Sequence, residues 1–224
     1  MALLNQISTG SNKGNCYKYN SLLLDIGVSF SKIKGIIDEI DIIFISHVHK
    51  DHLRADTIEK VYKHSPEVLF IGGDNMKPVF ESLGVKHYIL ELGKSVNFAK
   101  RGYEFELIKL YHDVENYGLK VKHNNLLGGY ITDTKHVEGI SIKNCDWLII
   151  EYNHDEVVTK EAIAHAKENN KFTHLVGAVE SHLSFQKSTT FINENAKNGT
   201  EILKCHLGSS LDPFYYDLHY IHET

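Results

Sequence analysis

The chain has little of what would place it outside the ordered, intracellular globular class. Of its 224 residues only 3 are proline and 3 are cysteine. The cysteines, Cys16, Cys145 and Cys205, are odd in number and far apart, so no disulfide framework follows and a reducing compartment is expected. No apolar run approaches the ~18 residues of a membrane span. The opening MALLNQISTGSNKG also lacks the basic and apolar stretches of a secretory signal. A cytoplasmic protein with no membrane partner is expected. Basic charge is not in excess either: 24 Lys and Arg face 29 Asp and Glu, for a net charge of −5. That balance argues against a long nucleic-acid-binding face. Hydrophobic content of 42% excludes disorder, and the length fits one domain over residues 1–224.

Histidine, by contrast, is abundant at 15 residues. Three fall in FISHVHKDHL (44–53), as His47, His49 and His52, with Asp51 among them. The apolar run DIIFIS precedes this cluster, and ADTIEKVYKHS, with helical spacing, follows it. A tight strand-to-helix loop can point His47 and His49 at one ion while the turn into the helix swings Asp51 and His52 toward a second. Imidazole and carboxylate donors suit zinc-type ions. Four ligands in one loop cannot enclose two metals, so others must arrive from elsewhere.

Further strands are expected at SLLLDIGV (21–28), VLFIGG, KHYILEL, a pair around Gly102, LLGGYITDT, CDWLIIEYN and TEILKCHLG. Helices are expected at KIKGIIDEI, MKPVFESLG, TKEAIAHAKENN and KSTTFINENAK. This pattern predicts one α/β unit with two sheets. The loops that follow Ser46, Tyr111, Thr132, Tyr152 and Cys205 all carry a His or Asp, and loops at one sheet edge are where sites are built.

The HVHKDH motif resembles the signature of the metallo-β-lactamase superfamily, and matching segments extend over nearly the whole chain. The resemblance implies a four-layer αββα sandwich with a two-metal site at one sheet edge. GSNKGNCYKYNSLLLDIG is similar to the opening of the YycJ-like nuclease branch and of related phage proteins, which makes Asp25 a carboxylate that orients the metal loop. LIKLYHD, GGYITDT and EILKCHLG supply His112, Asp133 and His206. The resemblance then implies one ion on His47, His49 and His112, another on Asp51, His52 and His206, and Asp133 between them. His182 is the competing candidate for the last ligand. IIEYNHD and ESHLS are similar to segments of YycJ-like proteins and tRNase Z. In those families a glutamate and a histidine outside the metal shell protonate the leaving oxygen. Carried over, that diad is Glu151 with His182, and His154 is their neighbour. The chain departs from the family at Ser181, where a glycine is usual, and in lacking the tRNase Z exosite arm.

These features lead to an expectation of phosphodiester hydrolysis with two divalent ions, zinc first and manganese as the alternative. Asp51, His182 and Glu151 would act as the catalytic groups. The short chain and its acidic balance favour a small nucleotide partner, 3′,5′-cyclic mononucleotides first, as for phage anti-defence phosphodiesterases of the superfamily. A YycJ-like or tRNase Z-like nuclease acting on DNA or RNA is the alternative, a nucleotide sensor without turnover is a third class, and a homodimer is the assembly to test. The remaining histidines, 64, 87, 123, 136, 165, 174, 219 and 222, are assigned to the surface or loops. Tyr111, Tyr117, Tyr130 and Tyr152 are assigned to core packing, with base stacking as the other reading, and LKVKHNN is read as a solvated, lysine-rich loop.

Overall fold

A computed structural model describes residues 3–207 of the protein. His219 and His222 lie outside the described residues. Two mixed six-stranded sheets face each other. The first runs in the order β1 (Leu4–Ser8), β2 (Cys16–Tyr19), β3 (Leu22–Leu24), β4 (Ile42–Phe44), β5 (Leu69–Gly72), β6 (His87–Ile89). Its first three strands are antiparallel, and β3 through β6 are parallel. The second runs β12 (Ala196–Cys205), β11 (Cys145–Glu151), β10 (Leu126–Ile131), β9 (Glu115–His123), β8 (Tyr103–Tyr111), β7 (Ser95–Phe98). There β10, β11 and β12 are parallel, and the rest pair antiparallel.

Side-chain alternation along the central strands sorts the apolar residues into three layers. Ile42 and Phe44 of β4 face the space between the sheets, which Tyr17, Tyr103, Phe105, Tyr130 and Trp147 also fill. Ile43 and Ile45 point the other way, to an outer core with α1 (Phe30–Ile33), α2 (Ala55–His64) and α3 (Lys77–Leu83). On the far side Ile108, Leu148 and Ile150 meet Phe185 and Phe191 of α6 (Phe185–Asn195). Next to α6 lie α4 (Glu156–Glu168) and α5 (Leu175–Ser181). The result is the expected helix–sheet–sheet–helix sandwich. Among the described residues, no helix is long and apolar enough to cross a membrane.

Helix ends follow local chemistry. Asp155 caps α4 by accepting from the amides of Val157 and Val158 at 2.9 and 3.0 Å, and Ser184 caps α6 through Lys187 N. Gly84, at φ 63°, closes α3. The expected helix over KIKGIIDEI shrinks to the four residues of α1 plus a 3₁₀ turn at Ile37–Glu39. LKVKHNN is not a loop over most of its length. Its first residues belong to β9, where Lys120 and Lys122 pair across the ladder with Glu106 and Glu104. Cross-strand charge pairs suit an exposed strand face as well as a loop, so lysine content alone misled.

Candidate metal centre

The loops that follow the C-terminal ends of β4, β8, β10 and β12 converge at one edge of the sandwich, and β11 ends there in Glu151. The donor atoms of His47, His49 and His112 lie within 4.8 Å of one another, as do those of Asp51, His52, Asp133 and His206. A third group joins Asp133 and His206 to Glu151 and His182. All seven residues expected as ligands therefore meet, and both residues of the expected diad stand beside them.

The imidazoles are aimed by hydrogen bonds on their far nitrogens. Asp25 Oδ2 accepts from His52 Nδ1 at 2.5 Å, which leaves His52 Nε2 facing Asp133 Oδ2 at 2.8 Å. Ser46 Oγ accepts from His47 Nδ1 at 3.0 Å, and Ser181 O accepts from His112 Nδ1, also at 3.0 Å. A histidine fixed in this way presents its other nitrogen as a lone-pair donor. Asp25 is itself held by Ser46 N and Oγ, both at 2.8 Å, and by Tyr130 OH at 2.5 Å. All of these groups except His112 and Ser181 are buried.

Asp133 lies at the centre. Its Oδ2 is 3.3 Å from His47 Nε2 and its Oδ1 is 3.1 Å from His206 Nδ1. Asp51 Oδ2 is 3.2 Å from His206 Nε2. Burial opposes the charge on Asp133, yet His206 and His52 hold the carboxyl well below its usual range. Burial likewise disfavours a charged His206, but Asp133 and the contacts to Asp51 and Glu151 raise it to about 9. His47 shows the opposite balance: burial and the nearby His52 lower it, and its Nε2 is buried with no hydrogen-bond partner. A buried lone pair with no donor, set among carboxylates, is what a cation fits. The residues present therefore suit two divalent ions.

Beside this cluster, Glu151 Oε1 accepts from His182 Nδ1 at 2.6 Å. Glu151 is fully buried. Its Oε2 takes the amides of Thr134 and Leu183 at 3.0 and 3.1 Å. Burial works against a charged His182, but the Glu151 carboxylate and then Asp133 raise it to about 10. His182 caps the C-terminal end of α5. Its cluster omits Asp51 and His52, whereas His206 belongs to the clusters on both sides. Cys205 points away into the inter-sheet core. His154 is buried, with Nδ1 unpartnered among the described residues.

Several site residues escaped the sequence reading. Asn15 Nδ2 donates to Asp51 Oδ2 at 3.2 Å and lies 2.9 Å from His52 Nε2. Asp113 Oδ1 approaches His112 Nε2 at 3.0 Å and His49 Nε2 at 3.5 Å. Both lie inside motifs already singled out, GSNKGN and LYHD, and that adjacency was the available signal. Tyr130 had none, because an inward tyrosine on a buried strand looks like packing alone. Of the four tyrosines assigned to the core, Tyr111 is the exception: it is 46% exposed and stacks on His136.

Comparisons with known proteins agree with this architecture. A family model described as "Beta-lactamase superfamily domain" matches residues 29–192. Over 155 residues the chain is 29% identical to "Uncharacterized protein YpbG" of Bacillus subtilis, covering 66% of this chain and 55% of that one. A 66-residue stretch, 27% of the chain, is 38% identical to cytidine monophosphate-N-acetylneuraminic acid hydroxylase of Asterias rubens, and it covers 10% of that protein. The chain thus spans about half or less of the curated relatives it matches. Among solved structures, YhfI from Bacillus subtilis superposes with a TM-score of 0.68 at 16% identity, over 92% of this chain and 85% of that one. Human tRNase Z, short form, gives 0.63 at 16% over 92% and 93%. A diphosphatase of the PhnP family gives 0.63 at 15% over 93% and 87%. At such identities the likeness to the solved structures is one of fold. Taken with the family match over most of its length and the histidine–aspartate cluster at the sheet edge, it leads to one assignment: the chain belongs to the metallo-β-lactamase superfamily.

Proposed function

We propose that this protein is a dinuclear-metal phosphodiesterase whose substrates are small nucleotides, 3′,5′-cyclic mononucleotides first. The observation that carries the reading is the 2.6 Å contact between Glu151 and His182 at the rim of the ligand cluster. A thioester, whose thiolate departs without a proton, would leave that pair without a task, whereas a phosphodiester with an alkoxide leaving group needs a proton donor. A tRNase Z and a PhnP-family diphosphatase among the proteins of similar fold are in keeping with phosphate chemistry.

In this reading His47, His49 and His112 would hold one ion and Asp51, His52 and His206 the other, with Asp133 as a ligand shared between the two sets. Bound divalent ions, zinc by donor type with manganese as the alternative, would supply Lewis acidity toward a phosphoryl oxygen and activate water near neutral pH. Asp51 accepts or steers the proton of the attacking water. His182, its Nδ1 engaged by Glu151, presents Nε2 to the departing ribose oxygen and returns a proton to it.

A cyclic mononucleotide carries one negative charge and meets the ions at contact range, where screening over ~8 Å matters little. Its hydrolysis to nucleoside monophosphate should be nearly flat between low and physiological salt. Metal-loaded protein is to be incubated with cyclic mononucleotides and with single-stranded DNA and RNA in parallel. Inert cyclic nucleotides beside brisk, salt-sensitive strand degradation would replace this reading with the nuclease one.

A further inference from the structure

The GSNKG loop, residues 10–14, contributes no group to the chemistry above, yet it walls a cavity of about 840 Å³ that reaches Asp51. Three separate segments close this space: the loop itself, the stretch from Gly27 to Lys32, and the metal loop from Val48 to Asp56. Four basic side chains line it, Lys13, Lys32, Lys50 and Arg54, against the acids Asp51 and Asp56. Asp56 is engaged by Arg54 and Lys60, each at 3.1 Å, and Asp51 faces His52 and His206. Lys32 Nζ meets only neutral oxygens, Ser8 Oγ at 3.3 Å and Lys13 O at 3.4 Å. Among the described residues Lys13, Lys32 and Lys50 form no ion pair. Three cations with no ion-pair partner among the described residues raise the potential of this concavity and favour an anion there.

The loop is also held in place. Gly14 sits at φ 80°, and a Cβ there would overlap the carbonyl of Gly27. Gly14 N donates to Gly10 O at 2.9 Å, Asn15 N to Asp51 O at 2.6 Å, and Gly27 N to Asn15 O at 3.0 Å. Lys13 is therefore carried on backbone that adjoins a segment stitched to the metal loop.

We propose that this cavity is a subsite for a second phosphate on linear substrates, so that a dinucleotide bearing a 5′-phosphate is bound more tightly than the same dinucleotide without one. This rests on the phosphodiesterase reading and extends it: a cyclic mononucleotide places its single phosphate at the ions and leaves the lysines unused. It also locates positive potential that the acidic overall composition conceals.

The test compares a linear dinucleotide with and without a 5′-phosphate. Affinity is read by calorimetric titration of metal-loaded His182→Ala protein, which turns over slowly, and kcat/KM is read on the unaltered enzyme. The phosphorylated dinucleotide should bind at least ~10-fold tighter, a margin matching one well-placed phosphate contact. Lys13→Gln with Lys32→Gln should abolish that margin while leaving cyclic mononucleotide hydrolysis and thermal melting as they were. Equal affinity for the two dinucleotides, or a preference that survives loss of both lysines, overturns the subsite. If no phosphodiester is cleaved but the lysine-dependent preference in binding holds, the subsite stands and the phosphodiesterase reading falls.

Discussion

Asp25 and His52 meet at 2.5 Å, Oδ2 to Nδ1, across 27 positions of sequence. The contact fixes which nitrogen of His52 faces the cluster, and the same oxygen takes the hydroxyls of Ser46 and Tyr130. Asp25→Asn suits a left-handed position, here φ 58°, but cannot accept as the carboxylate does. Metal affinity should fall about 10- to 100-fold with the fold intact, the usual worth of such a partner. Competition with a chromophoric chelator measures it, and unchanged affinity would mean that Asp25 serves packing alone.

Metal content itself is the next expectation. Protein purified without chelator or acid should carry close to two divalent ions, and His49→Ala or Asp133→Ala should lose at least one. Elemental analysis decides, and metal-free wild-type protein would refute the assignment of the cluster. The donor set, His and Asp with no thiolate, sets the choice of ions.

For the proton donor, His182→Ala should leave the metal content unchanged and reduce turnover ~10²- to 10⁴-fold. With an acidic phenol as leaving group the deficit should shrink sharply, because such a group departs without a proton. If the variant instead loses an ion, His182 is a ligand and His206 is displaced from that role.

Gly27 offers a structural test of the metal loop. A Cβ there would overlap the carbonyl of Asp51 and the amide of His52. Gly27→Ala should cost about 1–3 kcal/mol, the range for overpacking, and weaken metal binding with it. Gly35, which has open space around its position, provides the control: Gly35→Ala should shift urea unfolding by less than about 0.5 kcal/mol.

Much of the site was legible because each ligand stands just past an apolar strand, and strand ends can be read from short runs such as DIIFIS and EILKC. Less visible were contacts that depend on how two strands lie across the core. Tyr130 reaches Asp25 from the opposite sheet, 105 positions away. Nothing local marks a tyrosine that will do this. The helix α5 was missed because none of its residues is fully buried, so LVGAVES lacks the periodic apolar face that signals a helix. Strand β1 was missed because only its two end residues are buried, leaving no period of two to detect.

The 3.2 Å contact between Asp51 and His206 spans 155 residues. During synthesis the HVHKDH loop leaves the ribosome early, while its last partner follows on β12, the strand at the edge of the second sheet. A nascent chain can thus expose four donors long before the enclosing ones exist, and an ion caught then would sit in a half-built, water-filled shell. An enclosed site exists only once β12 is in place, which would couple ion capture to the closing steps of folding.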